Sequence, residues 1–189
     1  MWQDFISTYL IHNGVGWAVL GGMFAVMLGC VGSAIGIKTA ASQAAGVLSE
    51  KPELFGKLLV LMALPGTQGF YGFIVAIFVA LQVQLIASID TAIQLPPPVG
   101  IGLLFVGITV GFVLLYSAIN QGQTSAASIN LVGKRPDEGG RAILFPALVE
   151  TYAVVALLIG ILMIFWLTAP MTVTLTPVAP VVPVPPAGA

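Results

Sequence analysis

From Thr91 to Gly133 the sequence carries no charged side chain. The same holds from Val15 to Ile37, from Leu58 to Ile89 and, Glu150 excepted, from Ala142 onward. Each run is long enough for a helix across the roughly 30 Å hydrocarbon core of a bilayer. With 58% hydrophobic and only 7% charged residues, the composition lies outside the range of soluble domains. Lipid offers backbone groups no water to bond with, so only helices and closed barrels cross it, and the alternating ten-residue pattern of a barrel strand is absent. The expected fold class is an all-α membrane protein with four transmembrane helices. A formal net charge of -1 gives no footprint for nucleic acid.

The basic residues set the expected orientation. Lys38, Lys51, Lys57, Lys134, Arg135 and Arg141 all lie at or near two short connections, around residues 49 to 53 and 133 to 138. The positive-inside rule makes both connections cytoplasmic in a cell membrane, with both termini on the far side. The expected division is an extracytoplasmic N-terminus (1–12), a first helical hairpin (13–88), an extracytoplasmic loop (89–98) holding Asp90 and Pro96 to Pro98, a second hairpin (99–169) and a Pro-rich extracytoplasmic tail (170–189). Residues 1–12 lack a basic n-region and contain Asp4, which argues against a cleaved leader. Trp17 and Trp166 suit the outer interfacial belt. Cys30, alone in the first helix, is expected to serve packing.

The two hairpins read as copies. An offset of 84 residues, with no gap, lays Ser33-Ala34-Ile35 on Ser117-Ala118-Ile119, Lys51-Pro52-Glu53 on Arg135-Pro136-Asp137, and Gly66-Thr67 on Glu150-Thr151. Where the second copy has Glu150 the first has Gly66, leaving one mid-membrane carboxylate for four helices. The first and third helices are rich in small residues, including Gly32-x-x-x-Gly36 and Gly107-x-x-x-Gly111, a spacing that lets backbones approach closely.

Glu150 poses the functional question. An ionisable group at mid-bilayer costs about 2.5 to 3.5 kcal/mol on insertion scales, and such residues mark ion or proton paths. In the second helix Leu64, Thr67, Gln68 and Tyr71 fall at i, i+3, i+4 and i+7, on one face, and Pro65 in the same turn can free backbone carbonyls. Pro146 is expected to loosen the fourth helix one turn before Glu150. At 1.5 Å per residue, Gln68, Glu150 and Gln121 lie about 24, 21 and 18 Å in from the basic end. One carboxylate and several neutral oxygens therefore sit at similar depth, a donor set that suits a hard cation. The plainer alternative is that Thr67, Gln68 and Gln121 bond between helices while Glu150 stays protonated.

The run Leu64-Pro65-Gly66-Thr67-Gln68-Gly69-Phe70-Tyr71-Gly72-Phe73, the Gln121-Gly122 pair and Val149-Glu150-Thr151-Tyr152-Ala153 resemble the membrane rotor (proteolipid, K or c) subunits of V-type and archaeal-type rotary ATPases. The likeness covers about residues 10 to 168 and is greatest to the sodium-transporting bacterial members. It implies a homo-oligomeric ring of identical subunits, surrounded by membrane lipid, that turns against a stator membrane subunit with an arginine. It also implies a central-stalk subunit at the cytoplasmic loops. By the same resemblance Na+ is held by the Leu64 carbonyl, the side chains of Thr67, Gln68 and Gln121, and the Glu150 carboxylate, with the Tyr71 hydroxyl bonding that carboxylate. The chain has no Gly-x-x-x-x-Gly-Lys-Ser/Thr phosphate loop, so on this reading ATP is handled by other subunits and the chain is non-catalytic.

Three readings stand open: a rotor protein that carries Na+, the same rotor carrying H+, and a non-transporting four-helix scaffold or channel. The tail departs from the family pattern. Pro177, Pro180, Pro183, Pro185 and Pro186 exclude a fifth helix and favour an extended, polyproline-like segment, either disordered outside the membrane or lining the ring's outer opening.

Overall fold

A computed structural model describes residues 13–85, 91–92, 95–169 and 176–177. Four spans, each long and apolar enough to cross a membrane, cover Val15–Glu50, Pro52–Gln82, Pro97–Lys134 and Pro136–Thr168. The first is one helix, α1 (Val15–Glu50). The second comprises a 3-10 turn, α2 (Phe55–Ala63), a second 3-10 turn at Leu64–Gly66, and α3 (Thr67–Gln82). The third is α4 (Pro97–Lys134), and the fourth has a 3-10 turn, α5 (Gly139–Ala142) and α6 (Leu144–Thr168).

The connections follow from proline. Clash with a following proline ring disfavours the helical conformation, and Lys51 (φ -135°, ψ 70°) and Arg135 (φ -135°, ψ 85°) both swing out just before Pro52 and Pro136. These residues are repeat equivalents, and each proline then opens a 3-10 turn. The two turns are bound together: Lys51 Nζ donates to the Gly133 carbonyl at 2.6 Å and Lys57 Nζ to the Pro136 carbonyl at 2.9 Å. At the other end Asn13 Oδ1 accepts from the N–H groups of Val15 and Leu95, both at 3.1 Å, joining the starts of the first and third spans.

The third span starts at Pro97, two residues before the expected boundary at 99. Proline is at home in the first turn, where its missing N–H has no intrahelical acceptor to lose. The fourth span breaks at Ile143, which puts Pro146 in the first turn of α6 and the Ala147 N–H on the Ile143 carbonyl at 3.2 Å. Residues 1–12, residues 89–90 and 93–94 of the 89–98 loop, and nearly all of the 170–189 tail lie outside the described residues. Thr91–Ala92 and Thr176–Pro177 form a two-residue antiparallel pair.

The first and third spans run side by side with their glycines in the seam. A Cβ on Gly32 would stand 2.7 Å from Leu115 Cα, and one on Gly21 would stand 2.5 Å from the Leu103 carbonyl oxygen. The small-residue stripes are therefore used within the chain. Cys30 faces out from α1 and is exposed on the single chain. The apolar interior forms two clusters, one around Val75, Leu103, Leu114 and Leu157, the other toward the basic turns around Leu58, Leu61, Ile129 and Val132. Between them lies a polar layer.

Candidate functional site

The polar layer contains Leu64, Thr67, Gln68, Tyr71, Gln121 and Glu150, the residues that the sequence places at matched depth. Pro65 has no N–H to give, and the backbone tightens into the 3-10 turn Leu64–Gly66, which ends with the Thr67 N–H on the Leu64 carbonyl. Thr67 Oγ1 donates to the same carbonyl at 3.1 Å and also lies 3.4 Å from Gln68 Oε1. Restarting the helix at Thr67 leaves the first N–H groups of α3 short of acceptors. That of Gly69 is taken by Ser33 Oγ on the first span, at 2.9 Å.

Gln68 and Gln121 are fully buried. Gln68 Nε2 donates to Gln121 Oε1 at 2.5 Å and approaches Ser117 Oγ at 3.4 Å. Gln121 Nε2 in turn donates to Glu150 Oε2 at 3.2 Å, and the Tyr71 hydroxyl donates to Glu150 Oε1 at 2.6 Å. Both carboxylate oxygens are thus held, one from the second span and one from the third. Leaving such a group unpaired in a low-dielectric interior would cost several kcal/mol, and charge-assisted bonds offset that cost. Leu64, Thr67, Gln68, Tyr71, Gln121 and Glu150 form one connected network across three spans.

Two members of the layer were not assigned a role from sequence. Ser117 Oγ lies 3.4 Å from the Val149 carbonyl as well as from Gln68, and Ser33 holds the Gly69 amide. The signal was available in the repeat, because Ser33 and Ser117 anchor its Ser-Ala-Ile match.

Two paired hairpins closing on one half-buried carboxylate, dressed by amides and hydroxyls, define a membrane protein that handles a small cation. The family of the ATP synthase C subunit matches residues 20–79 and again 104–163, the same 84-residue offset that relates the two hairpins. A V-type sodium ATPase subunit K from Enterococcus hirae is 35% identical over 162 residues, covering 86% of this chain and 97% of that protein. An A-type ATP synthase subunit K from Methanocaldococcus jannaschii is 34% identical over 145 residues, covering 77% of this chain and 60% of that longer protein. The chain belongs to the ATP synthase C subunit family, whose helical hairpins form rings within rotary ATPases. It is a rotor proteolipid of the V/A type and a multi-pass membrane protein.

Proposed function

We propose that this protein carries Na+ around a rotor ring, loading and releasing it at Glu150. The observation that carries the reading is the convergence of four neutral oxygen donors (the Leu64 carbonyl, Thr67, Gln68 and Gln121) on the region of one carboxylate held by Tyr71. Hard oxygen donors with a single negative charge suit a monovalent cation, whose charge neutralises the carboxylate. The similarity to a protein named as a sodium ATPase subunit supports the same ion.

Loading needs one local rearrangement. Gln121 turns its Nε2 toward Glu150 and its oxygen toward Gln68, so a cation requires the amide to rotate and present its oxygen. The terminal torsion of Gln is broad and roughly two-fold, which makes this rotation easy. Gln68 and Thr67 then turn their oxygens from each other to the ion, while the Tyr71 bond to Oε1 keeps the carboxylate aimed. Carried as a neutral pair, the ion stays in the bilayer between a loading and a release path at a stator subunit with an arginine. Each charge moved exchanges about 2.3 kcal/mol per 100 mV of membrane potential, so several ions drive each catalytic event on the soluble motor. ATP chemistry belongs to other subunits; this one is non-catalytic. The turns at Lys51 and Arg135 face the cytoplasm and the central stalk.

A proton is the second reading, and one observation favours it: the polar groups of the network already bond to one another, so protonation alone can neutralise Glu150. Carbodiimide modification of Glu150 in the isolated assembly separates the two. Protection by Na+ that titrates independently of K+ supports the sodium reading, whereas protection that follows pH alone overturns it.

A further inference from the structure

Along the third span Ser117, Gln121, Ser125 and Ser128 follow one another at spacings of four, four and three residues, all buried and on one helical face. The first two belong to the polar layer at Glu150. Ser125 Oγ and Ser128 Oγ differ from them: both are sealed inside the bundle and, among the described residues, neither meets a hydrogen-bonding partner. Buried polar groups are nearly always paired, with protein or with ordered water, so two neighbouring hydroxyls without a protein partner call for an explanation. Packing does not supply one. At the 84-residue offset the first hairpin has Ala41 and Ala44 in their places, and Ala44 is fully buried in the apolar cluster toward the basic turns. Alanine therefore fills such a position, and the hydroxyls accompany the hairpin that has the carboxylate.

Loading a cation creates a need that these hydroxyls can meet. Gln121 Nε2 donates to Glu150, and Gln121 Oε1 accepts from Gln68. Once the amide rotates to give its oxygen to the ion, its N–H groups lose Glu150 as an acceptor and swing toward Gln68 Nε2, itself a donor. A buried amide hydrogen left without an acceptor would weaken ion binding. Ser125 stands one helical turn from Gln121 on the same face. Cβ atoms at that spacing lie about 5 to 6 Å apart, a gap that one water molecule bridges.

We infer that Ser125 and Ser128 hold an internal water molecule that accepts the Gln121 N–H in the cation-loaded state, which makes both serines positioning residues for the ion site. The two share their face with Ile129 and Val132, whose cluster contains Ala40, Ala44 and Ala142, small side chains that leave a water-sized space. The water accepts from Gln121 and from one serine hydroxyl and donates to the other. Those three bonds are the number typical of buried water. In the cation-free state Gln121 keeps its bond to Glu150 and makes no demand on the water. The inference rests on the sodium reading above and deepens it by naming what receives the turned amide.

Ser125→Ala and Ser128→Ala, made singly and together in the full-length chain, test this, and each installs the residue that the first hairpin already has. In the isolated assembly the Na+ concentration for half-protection of Glu150 from carbodiimide is expected to rise about tenfold in the double variant, the factor that one unsatisfied buried donor gives. The pH of half-labelling without Na+ and the thermal dissociation temperature are expected to stay at their wild-type values, because the cation-free network does not use the water. A structure of the assembly in Na+, at a resolution that shows water, is expected to place one within bonding distance of both hydroxyls. Unchanged half-protection in the double variant, or hydroxyls turned onto their own helix carbonyls with no water between them, overturns this inference alone. A Na+ effect accompanied by a lower dissociation temperature and a shifted pH of half-labelling overturns it in favour of plain structural support. A wild-type protein that Na+ never protects overturns it together with the sodium reading.

Discussion

The two hairpins share a fold and differ in what they place at the depth of the carboxylate. In the second, Glu150 sits beside Gln121; in the first, the equivalent pair is Gly66 and Ile37, and a Cβ on Gly66 would lie 3.3 Å from Ile37 Cδ1. The amide that bonds the carboxylate has been lost along with the carboxylate. Conversely, the first hairpin keeps Thr67, Gln68 and Tyr71, and the second has Thr151, Tyr152 and Val155 in their places. The site is thus divided between the copies, charge from one and most neutral donors from the other. A buried charge is tolerable only with its partners, so losing one member of a paired site removes the reason to keep the rest.

The largest effect should come from Glu150→Gln. It removes the charge while leaving an amide that still bonds Tyr71 and Gln121, so assembly is expected to survive. Ion flux through the complex and carbodiimide labelling are both expected to vanish. Flux at the wild-type rate would end the account of Glu150 as carrier. Next comes the reverse experiment on the silent hairpin. Gly66→Glu places a carboxylate beside Ile37, without an amide donor, at a cost of about 2.5 to 3.5 kcal/mol or more at mid-bilayer. The yield of assembled protein and its thermal dissociation temperature should fall, and Ile37→Gln added in the same chain should restore part of the loss. If the double variant is no better than the single one, the pairing of amide with carboxylate is not what separates the hairpins.

Smaller still are losses from the network around Glu150. Tyr71→Phe removes one bond to a charged group, worth about 1.5 kcal/mol, and is expected to raise the Na+ concentration for half-protection from carbodiimide about tenfold. Gln121→Leu removes both a donor and a proposed ion ligand and should do more. Equal half-protection values for wild type and both variants would remove these residues from the site.

Five of the six network residues were legible because polar side chains are rare in these runs and fall at helical spacing or matched depth, whereas Leu64 entered as a carbonyl ligand only through the family resemblance. Facing was not legible. In lipid the outer surface is as apolar as the core, so Phe70, 71% exposed, and Leu58, fully buried, look alike in sequence. The serines escaped for a different reason: a membrane serine commonly bonds its own helix, as Ser42 does to the Lys38 carbonyl, and nothing local marked Ser33 and Ser117 as reaching across.

Those two serines offer the finest test of the comparison. They are repeat equivalents with different work. Ser33 satisfies the Gly69 N–H at the restart of α3 with a 2.9 Å bond, whereas Ser117 stands 3.4 Å from both Gln68 Nε2 and the Val149 carbonyl, beside the proposed ion site. Ser33→Ala leaves a buried backbone donor unpaired, at a cost of about 1 to 3 kcal/mol, and should lower thermal stability while the Na+ half-protection concentration stays put. Ser117→Ala breaks only long contacts, and its effect should be the mirror image: stability nearly unchanged and a small rise in that concentration, because Gln68 is less firmly placed. Thermal dissociation and carbodiimide protection measured on both variants check this. If both serines moved the same observable, the hairpins would not have divided structural support from ion handling at this level.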